Sequence, residues 1–164
     1  MSGRTAVAFP PDALQAIARH ARRAHPRECC GFLVGARRRV LFAVATQNIA
    51  RGRSRYRIDD ATHIALRRTL RRFAPPLEIV GVYHSHPNGE ARPSATDVAE
   101  AFYPAWTYLI VGMRPRVSLR AFRIVGGRTE IVAIRTESGD RIYRAARAGP
   151  PRAGAGGGEG LRVA

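Results

Sequence analysis

The sequence predicts a single α/β domain, in which a mixed β-sheet is flanked by helices. Apolar runs of strand length alternate with amphipathic segments of helix length along the chain. One run, "LEIVGVYH", is apolar almost throughout, which is typical of a strand covered on both faces. The 164 residues are enough to bury one hydrophobic core. We therefore predict one domain over residues 1–146.

The first half of the chain predicts a strand, a helix, a hairpin and a second helix. "TAVAF" is typical of a short strand, and Pro11 follows it at a helix start. The helix has a core stripe at helical spacing: Leu14, Ile17, Ala18 and Ala21. "CCGFLVG" and "VLFAVA", joined by "ARRR", predict a hairpin, and "YRID" a short extended piece. Asp59 or Asp60 then caps a helix with an apolar face formed by Leu66, Leu70 and Phe73.

The second half predicts four further strands, one helix and a tail. "LEIVGVYH" and "TYLIVG" are typical of strands, and "SATDVAEAF" between them indicates a helix. "SLRAFRIV" and "TEIVAIR" meet at "GGR", which favours a tight hairpin turn. Residues 147–164 are rich in Gly, Pro and Ala without hydrophobic periodicity, so we predict a disordered tail there.

Composition narrows the classes of function. The formal charge is +16, and all 28 basic residues are arginine. The arginines scatter along the chain, whereas a nucleic-acid site would cluster them beside aromatic side chains. A compositional bias is therefore the favoured interpretation, attraction to an acidic protein partner is a second one, and a nucleic-acid function is not expected.

The apolar runs and the two cysteines indicate where in the cell the protein is expected. No apolar run approaches the roughly 18–20 residues that span a bilayer, and the N-terminus lacks a signal-peptide pattern, so we expect a cytoplasmic protein. Cys29 and Cys30 are adjacent, where a disulfide between them would be badly strained. We interpret them as buried apolar residues in a reducing compartment.

The stretch "YHSHPNGEARPSATD" carries the chemistry. His84 and His86 stand one residue apart at a strand end, so their side chains project from the same face. Ser94 is a natural helix N-cap, which places Asp97 in the first turn. Two imidazoles and one carboxylate suit Zn²⁺ with a fourth position for water. Taken alone, the His-x-His pair could be two surface histidines, and the Ser-x-x-Asp motif could be a plain helix cap.

The combination closely resembles the JAMM, or MPN-plus, metalloprotease signature of the Mov34 family. The matching form is His-x-His-Pro followed by Ser-x-x-Asp, with positions 87–96 between the second histidine and the aspartate. That family also carries a glutamate at the start of an upstream apolar strand containing Cys-Gly, and "RECCGFLVG" matches at Glu28. "TQNIA", "YRID" and "WTYLIVG…LRAFRI" look like its compact bacterial branch, so the likeness covers roughly residues 5–135.

The resemblance implies a fold, a cofactor and a role for each matched residue. The fold would be of the JAMM or cytidine-deaminase-like type, although the deaminase motifs His-x-Glu and Pro-Cys-x-x-Cys are absent from the sequence. His84, His86 and Asp97 would ligate zinc. Glu28 would act as the general base on a zinc-activated water, and Ser94 would help stabilise the oxyanion.

The same resemblance implies a substrate class. Enzymes of the compact bacterial branch hydrolyse amide or isopeptide bonds at the C-terminal Gly-Gly of ubiquitin-like, β-grasp sulfur carriers or of their adducts. Two alternatives stay open: a zinc peptidase of the same fold acting on another small peptide, and a metal-free MPN protein-interaction module. The second needs lost ligands, whereas all five positions are present here.

Overall fold

The computed structural model describes residues 6–137. The predicted tail over residues 147–164 and the end of the predicted domain at residue 146 lie outside the described residues. Seven strands and three helices follow one another in the order β1 (Ala6–Phe9), α1 (Pro11–Ala24), β2 (Cys30–Ala36), β3 (Arg39–Thr46), α2 (Asp60–Leu70), β4 (Glu78–His86), α3 (Ala95–Ala99), β5 (Thr107–Gly112), β6 (Ser118–Val125) and β7 (Arg128–Thr136).

The strands form one mixed sheet in the order β1-β3-β2-β4-β5-β6-β7. β4 and β5 are parallel. The pairs β3–β2, β2–β4, β5–β6 and β6–β7 are antiparallel. β1 runs parallel to both β3 and β7, so the curved sheet closes through it. The prediction of a single mixed sheet flanked by helices is confirmed.

Two apolar clusters cover the two faces of this sheet. The first includes Ile17 and Ala21 of α1, which pack with Phe9, Leu33 and other buried residues. The second includes Leu66 and Leu70 of α2 on the opposite face. β4 contributes side chains to both clusters, as its almost continuous apolar sequence predicts.

Most predicted elements are present, and four differ from the prediction. α2 ends at Leu70, so Phe73, predicted on its apolar face, lies beyond the helix but packs against the same cluster. β4 runs on to His86, because its pairing with β5 continues through that residue. α3 is a single short helix that ends at Ala99, well before the predicted Phe102; Pro104 follows closely and disfavours helical backbone before it. "YRID" forms no regular strand, although the Arg57 carbonyl accepts a bond from the Ile49 amide.

The predicted helix caps and hairpins agree with the structure. Asp59 is the N-cap of α2 and accepts a hydrogen bond from the Thr62 amide at 3.0 Å. β2 and β3 pair as an antiparallel hairpin. Gly126 and Gly127 have φ values of 56° and 75° in the β6–β7 turn, a conformation that glycine adopts without strain.

Candidate metal centre and active site

His84 and His86 lie at the end of β4, between β2 and β5. In the sheet, His84 is paired with Cys30 on one side, and His86 with Gly112 on the other. Because alternate residues of a strand share a face, both rings project to the side that carries Val82 and α2. His84 is 1 % exposed, and the Nε2 atoms of the two rings lie 3.0 Å apart.

Asp97 completes the cluster from the first turn of α3. Its Oδ1 lies 3.1 Å from His84 Nε2, and its Oδ2 lies 3.2 Å from His86 Nε2. The Ser94 amide and hydroxyl both donate to Asp97 Oδ2, at 2.6 Å and 2.8 Å, and the Asp97 amide donates to Ser94 Oγ. This reciprocal capping box fixes both the helix start and the direction of the carboxylate.

The hydrogen bond of the His86 ring favours a ligand role for its other nitrogen. Nδ1 of His86 lies 3.2 Å from the Glu90 carbonyl, which can only accept, so Nδ1 carries the proton. In the neutral ring, Nε2 then presents a lone pair towards the Asp97 carboxylate. Two lone pairs face each other favourably only with a proton or a metal ion between them. The donor set therefore fits a divalent cation such as Zn²⁺.

Protonation states are consistent with an anionic carboxylate at this point. Burial opposes ionisation of Asp97, but when no metal ion is bound and the rings carry a proton on Nε2, the hydrogen bonds from His84 and His86 outweigh it and hold the pKa of Asp97 below its ordinary value. Burial lowers the pKa of His84. For His86 burial also acts to lower the pKa, but Asp97 overcomes it and raises that pKa. Asp97 is thus ionised at neutral pH, as a metal ligand must be.

Glu28 reaches the same place from the residues just before β2. The Cys29 amide donates to Ser85 Oγ at 2.9 Å, and the Ser85 amide donates to the Cys29 carbonyl at 3.1 Å. These bonds join the Glu28 segment to the strand that carries both histidines. The pKa of Glu28 is raised to about 7, mainly by burial; His86 acts to lower it, and Asp97 acts to raise it. A bound cation would lower this pKa again, because it favours the carboxylate form.

Glu28 shares one cavity of about 240 Å³ with His86 and Asp97 of the candidate metal-binding cluster. Its lining includes Glu28, His86, Ser94 and Asp97. The Ser94 hydroxyl is directed at Asp97 and caps α3. The structure therefore brings all the predicted site residues together, and an oxyanion role for Ser94 stays a prediction.

Tyr56 and Asn48 also belong to the site, although no sequence pattern predicts that they lie there. The Tyr56 ring stacks on His84 with centroids 4.4 Å apart and an angle of 19° between the planes. Asn48 donates to the Glu28 and Arg55 carbonyls and accepts from the Ala50 and Arg57 amides. Asn48 thus holds the loop with Tyr56 against the Glu28 segment.

A second, larger cavity of about 770 Å³ adjoins the first. Trp106 and Tyr103 stack in its wall with centroids 3.8 Å apart, and Phe102, 77 % exposed, stands at its edge. Trp106 and Tyr108 are both buried and line the cavity. This groove offers room for an extended chain leading towards the metal centre.

The two cysteines are buried and do not belong to the site. Burial raises the pKa of Cys29 to about 11 and that of Cys30 to about 12, so both are buried neutral thiols at neutral pH. Among residues 6–137, the cluster of His84, His86 and Asp97 is the one group of three metal-ligating side chains. No helix in this part of the chain combines the length and apolar character needed to span a bilayer.

Comparison with known proteins places this site in a family. A family model described as "Prokaryotic homologs of the JAB domain" matches residues 10–125. The chain is 38% identical over 120 residues to the CysO-cysteine peptidase of Mycobacterium tuberculosis, which covers 71% of this chain and 81% of the relative. It is 35% identical over 111 residues to the desampylase of Haloferax volcanii, covering 63% of this chain and 78% of the relative.

A solved structure has the same fold. The solution structure of protein DSY2949 from Desulfitobacterium hafniense matches with a TM-score of 0.73 and 26% identity, over 80% of this chain and 93% of the other. The match of the family model covers the strands and helices that hold Glu28 and the histidine–aspartate cluster. The chain therefore belongs to the prokaryotic JAB-domain family of JAMM/MPN hydrolases.

Proposed function

We propose that this protein is a zinc-dependent metallopeptidase that hydrolyses the amide or isopeptide bond after the C-terminal Gly-Gly of a ubiquitin-like, β-grasp sulfur carrier or its adduct. One observation carries the proposal: a buried carboxylate, Glu28, shares a 240 Å³ cavity with the histidine–aspartate cluster. The relatives named CysO-cysteine peptidase and desampylase support this class of substrate.

Each residue of the centre has a distinct part in the proposed reaction. His84, His86 and Asp97 would hold the metal ion. Zinc, when bound, lowers the pKa of bound water to about 7 and polarises the substrate carbonyl. Glu28 accepts a proton from the attacking water and delivers it to the departing amine. The Ser94 hydroxyl, which lines the same cavity, would turn from Asp97 to donate to the oxygen on which charge develops.

The larger groove supports an extended protein tail as the substrate. It adjoins the cavity of the metal centre, and aromatic side chains form much of its wall. An extended Gly-Gly tail presents main-chain donors and acceptors without side chains that would block a narrow passage. The body of the carrier would remain outside.

The test uses CysO carrying a C-terminal cysteine as the probe, with release of cysteine followed by mass spectrometry. The purified protein should contain about one zinc per chain and cleave after Gly-Gly, because its donor set suits a catalytic zinc site. A chelator should abolish cleavage and added zinc should restore it. His84→Ala should lose both metal and activity.

Two results would overturn the proposal. A protein free of metal after purification in zinc-containing buffer would remove the metal centre. A zinc-loaded protein that leaves the CysO–cysteine adduct intact but cleaves short unrelated peptides would favour the alternative peptidase function.

A further inference from the structure

The two cavities meet at a neck formed by the same three residues. Arg55, Tyr56 and Glu100 line both the 770 Å³ groove and the 240 Å³ cavity of the metal centre. A chain that enters through the groove and reaches the metal centre must therefore pass these residues.

An ion pair crosses this neck. Arg55 Nη2 lies 2.8 Å from Glu100 Oε1, which leaves no space for another atom between the two groups. Arg55 belongs to the loop whose next residue, Tyr56, stacks on His84. Glu100 is the C-cap of α3, the helix that carries Asp97. The pair thus joins the two walls of the site directly beside the metal-binding cluster.

The pair has little importance for the stability of the fold. The Arg55 and Glu100 side chains are 62% and 49% exposed. Exposed pairs of this kind contribute little, because water and salt screen the charges and two long side chains must be ordered. The position of the pair at the neck is therefore better explained by a role in substrate passage than by a role in folding.

The charged groups of the pair can also bind a peptide main chain. A carboxylate accepts hydrogen bonds from amide N–H groups, and a guanidinium donates to carbonyl oxygens. A close approach of both groups to the main chain leaves no room for a side chain on the peptide. Glycine is the residue that permits such an approach.

We propose that the Arg55–Glu100 pair is a specificity-determining crossbar, which selects substrates with two residues lacking side chains before the scissile bond. This inference rests on the proposed function of the metal centre. It assigns the Gly-Gly requirement of this chain to two residues that are neither metal ligands nor the general base.

The experiment compares tails in the CysO–cysteine adduct: Gly-Gly, and tails in which either glycine is replaced by alanine. The wild-type protein should cleave Gly-Gly with kcat/KM at least about tenfold above both alanine tails, because a misplaced methyl group costs that much in a closely fitted site. In Arg55→Ala and in Glu100→Ala the ratio should fall to within about threefold, since the neck is then open.

Two further proteins make the result specific. Arg39→Ala removes another largely exposed Arg–Glu ion pair, with Glu137 at 2.7 Å, and should keep the wild-type ratio. The exchanged double variant Arg55→Glu/Glu100→Arg restores a pair of opposite polarity and should recover discrimination against alanine. Zinc content and thermal unfolding of all variants verify that the metal centre and the fold are intact.

The outcomes separate this inference from the proposed function. If the wild-type protein fails to cleave even the Gly-Gly adduct, the proposed function is wrong. If it cleaves Gly-Gly but accepts alanine equally well, or if Arg55→Ala and Glu100→Ala keep the wild-type ratio, the crossbar is wrong and the function stands.

Discussion

Glu28 is the residue whose surroundings depend most on distant parts of the chain. It is 7 % exposed, and its segment is joined to Ser85 across 56 positions of sequence. Burial, aided by the nearby Asp97 carboxylate and opposed by His86, raises its pKa towards neutrality, where a group can both accept and release a proton. A solvated glutamate before a strand would have neither property.

Replacing Glu28 by Gln tests its role as a base. The amide has nearly the same size but cannot accept and return a proton, so kcat should fall by at least about a hundredfold. Zinc content should stay at the wild-type level, because Glu28 is not among the three converging ligands. Metal analysis together with cleavage of the CysO–cysteine adduct measures both. Substantial activity in Glu28→Gln would assign the base to another group.

At the candidate metal centre, the main chain of β5 lies close against the loop that follows β4. β5 ends at Gly112, which is paired with His86, and the loop after β4 folds back over it. The Met113 amide donates a hydrogen bond that is shared between two carbonyl oxygens, that of His86 at 3.2 Å and that of Gly89 at 3.0 Å. A Cβ atom on Gly112 would clash with the main chain of Glu90 and Ala91. Glycine at this strand end therefore sets the path of the loop between His86 and Ser94.

Gly112→Ala should disturb both the fold and the metal centre. The clash involves main chain on a buried strand, so the free energy of unfolding should fall by about 1–3 kcal/mol. Zinc affinity should fall too, because the Glu90 carbonyl orients the His86 ring. Denaturant unfolding and zinc titration measure the two effects.

Gly89→Ala is the matched control for Gly112→Ala. A Cβ atom on Gly89 would lie 3.5 Å from the His86 Cβ, which is an ordinary contact. Its unfolding midpoint and zinc affinity should stay near those of the wild-type protein. Equal behaviour of the two variants would mean that the loop over Gly112 adapts without effect on the site.

The candidate site lies on one face of the sheet, and α1 packs on the opposite face. On the α1 face, His20 Nδ1 lies 2.8 Å from the Tyr83 hydroxyl, and Tyr83 is fully buried in β4. Burial, followed by the positive charge of Arg23, lowers the pKa of His20. The neighbouring β4 residue His84 serves the opposite face, so adjacent positions of one strand have separate roles.

Stability should consequently depend on pH through His20. Its pKa in the folded state lies below the ordinary value of 6.5, so the unfolded chain binds more protons in the window below 6.5. The His20 contribution is present above pH 6.5 and is lost as pH falls towards the folded pKa. Denaturant unfolding between about pH 5 and pH 8 should show this loss.

His20→Gln should flatten this dependence, because the amide can still bond to Tyr83 but does not titrate. His25→Gln is the control, since His25 is exposed at the end of α1. A wild-type slope in His20→Gln, or a flattened slope in His25→Gln, would contradict the assignment.

Local patterns in the sequence determined the elements and the types of ligand. Caps, hydrophobic periodicity and turn glycines act between residues a few positions apart, so β5, the hairpins and the Asp59 cap follow from them directly. The His-x-His spacing likewise places His84 and His86 on one face of an extended strand. The predicted length of α3 was wrong, since weak periodicity does not define where a short helix ends.

The sequence by itself thus determined which residues can bind a metal, through short spacings on a strand and a helix turn. Only the tertiary structure decided how the other groups are arranged around them. Pairing of Cys30 with His84 brings Glu28 to the centre, and Asn48 directs Tyr56 onto the His84 ring. The Arg55–Glu100 pair spans 45 positions in the same way. The physical reason is that such contacts depend on strand register and loop closure, which no local spacing encodes.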